Sequence, residues 1–246
     1  MSFTLSEVVA WGRSYDEYLA MFSLSPEDLW QKILGCGDGP AGFNSILSGH
    51  GGSIVSVDPI YAFTARQIKE RIDATFSIVL EQAAKNSDEF LWEAISSVEA
   101  LGRIRMSAMA EFLQDFEKGR AEGRYLAGSL PRLPFQNREF GLALCSHLLF
   151  LYSEQLSEEF HVDAIKELCR VADEARIFPL LELGSTKSRH LAQVVEKLDK
   201  DHYLVEIRKV SYEFQKGGNE MMVVRFSANV DRESGGVTRA CARPGD

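Results

Sequence analysis

Ile33-Leu34-Gly35-Cys36-Gly37-Asp38-Gly39-Pro40, followed by Ser53-Ile54-Val55-Ser56-Val57-Asp58, is the pair of segments on which the reading of this chain turns. A short apolar run enters a glycine-dense turn, and a second apolar run ends on an acid. Glycine is needed where the backbone must turn sharply and lie against a ligand, because a Cβ there would clash. An acid at the tip of the following strand can accept both hydroxyls of a ribose. Together these features predict an adenosine-containing cofactor across the carboxyl ends of a parallel sheet. Lys32 to Cys36 reads as the first strand, Ile54 to Asp58 as the second, and Phe43 to Leu47 as a short helix between them.

The bulk composition bounds what surrounds that turn. With 246 residues, 45% of them hydrophobic, the chain suits one sizeable α/β domain. Acids outnumber bases 36 to 27, a net charge of −9, which argues against a broad nucleic-acid surface. Cys36, Cys145, Cys169 and Cys241 form no CxxC pair, and the five histidines are scattered, so no disulfide framework or metal site is expected. The amino terminus lacks the build of a signal peptide and no apolar stretch is long enough for a bilayer. The expectation is a soluble, cytoplasmic protein with no membrane partner.

Residues 1–30 read as a helical cap, with Val8, Val9, Trp11, Tyr15, Tyr18, Leu19 and Phe22 at roughly helical spacing. Ser25-Pro26-Glu27-Asp28 supplies a helix start within it. An alternative use of the cap is a flap with Tyr15 or Tyr18 touching the cofactor. The main domain is predicted over 31–229. Its stretch from Ala62 to about Gly123 is mostly helical, more than one crossover requires. The surplus reads as a helical insertion after strand 2, over about 88–118, that shapes a substrate pocket. Its stripe of Met106, Met109, Phe112, Leu113 and Phe116 reads as core. Apolar faces there suit a second copy as well as the core, which leaves a homodimer open.

Arg124 to Gly128 is the third predicted strand and Phe140 to Ser146 the fourth, apolar enough to be buried on both faces. A helix over His161 to Ala172, a strand over Arg176 to Leu183 interrupted by Pro179, and a helix over His190 to Leu198 follow. Strands Tyr203 to Val210 and Met221 to Phe226 close the domain through a hairpin-like connection holding Gly217-Gly218-Asn219. Residues 230–246 read as a disordered tail in which Cys241 has no functional weight.

The glycines fit two registers. Gly35, Gly37 and Gly39 give G-x-G-x-G, while Gly37, Gly39 and Gly42 give the dinucleotide pattern G-x-G-x-x-G. In the first, the strand stops at its first glycine. In the second, it runs through Gly35, a poor residue for a strand interior.

The carboxyl half favours the first register. The segments Leu133-Pro134-Phe135 and Phe140-Gly141-Leu142-Ala143-Leu144, a helix carrying Arg170-Val171, then strand, helix, strand and a final hairpin strand, resemble class I S-adenosylmethionine-dependent methyltransferases over residues 28–228. More narrowly, Ile33 to Tyr61, Cys145 to Tyr152 and Tyr212-Glu213-Phe214-Gln215 look like a bacterial subgroup of that family. The implied fold is α/β: a Rossmann-like seven-stranded methyltransferase sheet, mostly parallel with an antiparallel C-terminal strand and helices on both faces. The implied cofactor is S-adenosyl-L-methionine and the implied partner a small-molecule acceptor.

By that resemblance Gly35, Cys36, Gly37 and Gly39 lie against the methionine and ribose parts of the cofactor. Asp58 accepts the ribose hydroxyls, Pro59 and Ile60 pack on adenine, and Ser129 with Leu130 meets its amino edge. Cys145 joins the cofactor side as a small apolar residue and not as a nucleophile. His147, just past the fourth strand, is the candidate base or substrate-orienting residue, with Tyr152 at the pocket rim. A hydrolase pairing of Ser146 with His147 is set aside because adjacent strand residues face opposite ways. The chain departs from the family pattern at Ile33, Ser129 and Gly141, which motivates one alternative, a cofactor-binding module without turnover. The other is an NAD(P)-dependent oxidoreductase built on the Gly42 register.

Overall fold

In the computed structural model, which describes residues 11–227, the chain forms one seven-stranded sheet with helices on both faces. The strands are β1 Lys32–Cys36, β2 Ser53–Val57, β3 Tyr125–Leu126, β4 Phe140–Ser146 and β5 Ala172–Phe178. A separate two-stranded ribbon, β6 Leu181–Glu182 and β7 Thr186–Lys187, precedes β8 Tyr203–Lys209 and β9 Glu220–Phe226. The sheet order is β3-β2-β1-β4-β5-β9-β8. Every pairing from β3 across to β5 is parallel, and β9 is antiparallel to both of its neighbours. This is the Rossmann-like methyltransferase sheet with its antiparallel C-terminal strand.

Strand alternation divides the core between the two faces. Leu34 and Cys36 of β1, with Ala143 and Cys145 of β4, pack beneath α6 Glu158–Val171 and α7 Leu191–Lys200. Ile33, Leu142 and Leu144 point the other way, toward α1 Tyr15–Met21 and α3 Phe43–Gly49. Because both faces are covered, β4 is apolar at successive positions, as a strand buried on two sides must be.

Caps explain where the short helices begin. Ser14 and Glu17 form a capping box on α1, and Ser25 and Asp28 form one on α2 Pro26–Leu29, which has proline in its first turn. Trp11 lies ahead of α1 and outside any helix; Val8 and Val9 lie outside the described residues. The helical stretch after β2 is two helices, α4 Ala65–Lys85 and α5 Val98–Ala121, separated by residues 86–97. α5 runs past position 118 and turns into β3, where Gly119 is needed because a Cβ would stand 2.4 Å from the Tyr125 ring. α6 passes without a loop into β5 at Ala172, so that strand starts four residues ahead of the expected Arg176. The tail over 230–246, with Cys241, falls outside the described residues. No helix among the described residues is long and apolar enough to cross a membrane.

Candidate functional site

A cavity of about 480 Å³ opens over the carboxyl ends of β1, β2, β4 and β5. That is the crevice where ligands settle on open α/β sheets, and its volume is of the size small-molecule sites have. Of the residues singled out from sequence, Cys36, Gly37, Gly39, Asp58, Pro59, Ile60, Ser129, Leu130, His147 and Tyr152 line it together. Two do not. Cys145 is buried in the core under α6, where burial pushes its thiol up to about 12.

Gly35 is the other, and it overturns the argument used to choose the register. β1 does run through Gly35, which pairs with Ser56 and Leu144. Its missing side chain makes room for the Asp38 carboxyl, which folds back over the strand so closely that a Cβ at Gly35 would lie 1.8 Å from Asp38 Oδ2. Gly35 therefore seats Asp38 and does not touch the cavity. Gly42 also stands off the cavity, where a Cβ would meet Glu111 and the Ala108 carbonyl of α5.

The turn itself is held from two sides. Gly37 and Gly39 take φ of +71° and +55°, a region that disfavours a side chain, and the space beyond Gly39 is open. The Gly39 N–H donates to Asp58 Oδ2 and the Ile60 N–H to Asp58 Oδ1, each at 2.9 Å, while the Tyr61 hydroxyl donates to the Gly39 carbonyl at 2.7 Å. Asp58 follows β2 and caps the one-turn helix Pro59–Ala62. Each of its oxygens accepts one protein donor and keeps lone-pair capacity for a ligand hydroxyl. Burial raises its pKa despite those backbone donors.

Asp38 is a cavity residue that the sequence reading left without a role. Its oxygens accept from the Tyr18 hydroxyl at 2.8 Å and from Ser56 Oγ at 2.7 Å, and Ser56 in turn accepts from Asn44 at 3.0 Å. Burial lifts its pKa to about 6, against the pull of Ser56 and Tyr18 and with Asp58 nearby. Tyr18 thus reaches the site through Asp38.

At the other end of the cavity, His147 takes φ +54°, which breaks the strand alternation and swings its ring beside Ser146, with Nδ1 2.9 Å from Ser146 Oγ. The expectation that these two side chains diverge is therefore wrong. The His147 ring meets Phe178 edge-on at 5.6 Å. Burial first, then the charges of Arg13 and Arg105, hold its pKa well below the usual value, so the imidazole is neutral with a lone pair to offer. The loop that follows is pinned by His161, whose Nε2 accepts from the Phe150 N–H at 2.9 Å. Tyr152 is 3% exposed and forms wall instead of rim.

Around His147 stand Arg13, Arg105 and Tyr212, with Glu17 directly behind. Arg105 pairs with Glu17, whose other oxygen accepts from the Tyr212 hydroxyl at 2.8 Å. Burial would raise the Glu17 pKa, but Arg105 and Arg13 outweigh it and hold the carboxyl down at about 2. The sequence reading missed this group. One signal was present: Arg105 sits on the apolar stripe of α5 formed by Leu101, Ala108 and Phe112, where a charge is out of place unless it is paired.

No family model matches the chain. It is 32% identical over 224 residues to the uncharacterized protein MJ0045 of Methanocaldococcus jannaschii, covering 90% of this chain and 97% of that one. Among solved structures it is similar to magnesium protoporphyrin IX methyltransferase (ChlM) from Synechocystis PCC 6803 with bound SAM, at 12% identity and a TM-score of 0.45, covering 87% of this chain and 78% of that one. A TehB-like SAM-dependent methyltransferase from Corynebacterium glutamicum aligns at 14% identity and a TM-score of 0.46, covering 86% of this chain and 87% of that one.

Proposed function

We propose that this chain, which belongs to one family with the Methanocaldococcus jannaschii protein, is an S-adenosylmethionine-dependent methyltransferase acting on a small molecule. The observation that carries this reading is the sheet order, with β9 inserted antiparallel between β5 and β8. The dinucleotide-binding sheet ends on a sixth parallel strand beside the fifth. The antiparallel ending therefore speaks against the nicotinamide alternative.

The residues at the glycine turn fit the cofactor. Asp58 retains acceptor capacity toward two ribose hydroxyls, and Pro59, Ile60 and Leu130 supply apolar surface for adenine. Gly39 leaves its side-chain space open to the ligand. Asp38 offers a carboxylate toward positive charge. When bound, the cofactor supplies a methyl group already activated on a sulfonium. The chain then has to align the acceptor, exclude water and take up a proton. His147, facing the cavity, is the group that orients the acceptor nucleophile or receives its proton, and Tyr152 walls the same space.

Thermal unfolding with S-adenosylmethionine, S-adenosylhomocysteine and NADH, on wild type and Asp58→Ala, tests the reading. A ligand at about a hundred times its Kd adds roughly 2.7 kcal/mol, which for a chain of this size raises Tm by about 5–10 °C. The expected result is a shift with the two sulfur compounds, lost in Asp58→Ala. A shift with NADH alone would replace this reading with the oxidoreductase. Acceptor-dependent release of S-adenosylhomocysteine would exclude a module without turnover.

A further inference from the structure

We infer that the methyl acceptor is a flat, largely apolar molecule bearing a carboxylate, and that the carboxylate docks on Arg13 and Arg105. The inference rests on the methyltransferase reading and deepens it by naming the substrate class.

Charge at the two ends of the cavity has opposite sign. Asp38 and Asp58 stand at the glycine turn, and Arg13 and Arg105 at the far end beside His147. Among the described residues the wall carries two further charged side chains, Arg71 and Glu89, of opposite sign. Among the described residues Arg13 and Arg105 share one buried counter-charge, Glu17, and that carboxylate is already engaged. One oxygen accepts from the Ser14 backbone and hydroxyl and from Arg105, and the other accepts from Tyr212. Two guanidiniums against one carboxylate leave an excess positive charge in a place sheltered from water.

The excess is visible in the hydrogen bonding. Arg105 is 0% exposed, yet among the described residues its Nε has no partner, and the buried Nε of Arg13 has none either. Burial first, and then the neighbouring Arg105, pull the Arg13 guanidinium down to about 10, whereas Glu17 and Tyr212 outweigh burial at Arg105 and raise its pKa. Buried donors and charges left in this state are costly to a fold unless a ligand answers them. A carboxylate does so, because its two oxygens match guanidinium forks and carry the missing charge.

The walls beyond the arginines indicate the rest of the molecule. Phe90 and Phe214 stack at a centroid distance of 4.9 Å, and Phe178 meets Tyr212 edge-on at 5.7 Å. These rings and Leu101 line the space next to Arg105. A ring-bearing acid would place its body on this surface, its carboxylate on the arginines and a neighbouring nucleophile toward His147.

The competing occupant is the cofactor's own carboxylate, since the Arg13 carbonyl accepts from the Gly42 N–H close to the glycine turn, at 3.0 Å. Calorimetry on the full chain separates the two. Benzoate and phenylacetate, with benzamide and phenylacetamide as uncharged controls, are titrated into protein saturated with S-adenosylhomocysteine. S-adenosylhomocysteine is also compared with 5′-methylthioadenosine, which lacks the amino-acid part. Wild type should bind at least one acid ten-fold or more tightly than its amide. Arg13→Gln and Arg105→Gln should reduce that preference below two-fold and leave the two nucleosides' relative affinities unchanged. Arg105→Lys, which keeps the charge, should retain most of the preference, and methylthioadenosine binding by each variant reports that it has folded.

Equal binding of acids and amides in wild type would overturn the inference. So would variants that weaken S-adenosylhomocysteine and spare methylthioadenosine, because the arginines would then serve the cofactor. Failure of wild type to bind either nucleoside would remove the methyltransferase reading itself, and the acceptor assignment with it.

Discussion

At the glycine-turn end of the cavity, Asp38 and Asp58 are tied to Tyr18, Ser56 and Gly39 by hydrogen bonds spanning 18 to 20 positions. At the far end, Glu17 joins Arg105 across 88 positions and Tyr212 across 195. The near end is mainly a local device: two strands and the turn between them, joined by Tyr18 of α1, place its donors and acceptors. The far end exists only when α1 with the segment before it, the first half of α5 and the loop after β8 have packed together. Glu17 answers Arg105 there inside the protein, whereas Asp38 and Asp58 are bound mainly by neutral donors and leave their negative charge for something else. The difference gives each end a different failure mode on mutation.

The far end should break the fold. Glu17→Gln leaves Arg105 buried without its carboxylate, and removing one partner of a buried pair costs about 3–5 kcal/mol. Urea unfolding at pH 7 should show that loss. The pH dependence has a definite sign. Glu17 is held at about 2 in the folded protein, below its usual carboxylate value, so its contribution is present above about pH 4.5 and is lost as the pH falls toward 2. The gap between wild type and variant should narrow along the same path. A loss under 1 kcal/mol at pH 7 would mean that the far end is held by its packing and not by its charges.

The near end should do the reverse, because Asp38 is carried at a cost to stability. Its folded pKa of about 6 is raised from 3.8, so the stabilisation associated with its protonated form is present below pH 4 and is lost as the pH rises through 6. Two units correspond to about 3 kcal/mol at most. Asp38→Asn should therefore gain on wild type between pH 4 and pH 7 while binding S-adenosylhomocysteine more weakly. Part of the gain will be offset because the amide nitrogen faces Ser56, which now donates to the carboxylate. A variant less stable than wild type at every pH would show that Asp38 serves packing alone.

The same contrast explains what the sequence disclosed. β1 and β4 were legible to the residue, because an apolar run bounded by a turn carries its own limits. Asp58 was legible because strand tips on a parallel sheet face one crevice. Asp38 lay inside the quoted turn yet unread, since its place depends on the absence of a Cβ three residues earlier. His147 was placed correctly past β4, but its left-handed backbone could not be foreseen, so its contact with Ser146 was missed. The far end stayed hidden for a topological reason: nothing in the sequence around Tyr212 or Glu17 states that they will meet, or that Arg105 of α5 will join them. Only Arg105, a charge on an apolar stripe, offered a sign.

The smallest expected effect sharpens the near end. Gly39→Ala places a methyl where nothing protein-borne lies within 4 Å, at φ +55°. Left-handed backbone costs a residue with a Cβ about 1–2 kcal/mol, so Tm should fall by only a few degrees. Affinity for S-adenosylhomocysteine should fall further than that strain alone explains, because the methyl projects into space the ligand would fill. Gly37→Ala is the control: its Cβ would press on Leu148 Cδ2 at 2.7 Å, so stability should suffer more. Differential scanning calorimetry and ligand titration on the two variants give both quantities. If Gly39→Ala bound S-adenosylhomocysteine as tightly as wild type, the open side of Gly39 would not face the ligand. The turn would then be a device for seating Asp38, and cofactor recognition would rest on Asp58 and the adenine-side wall.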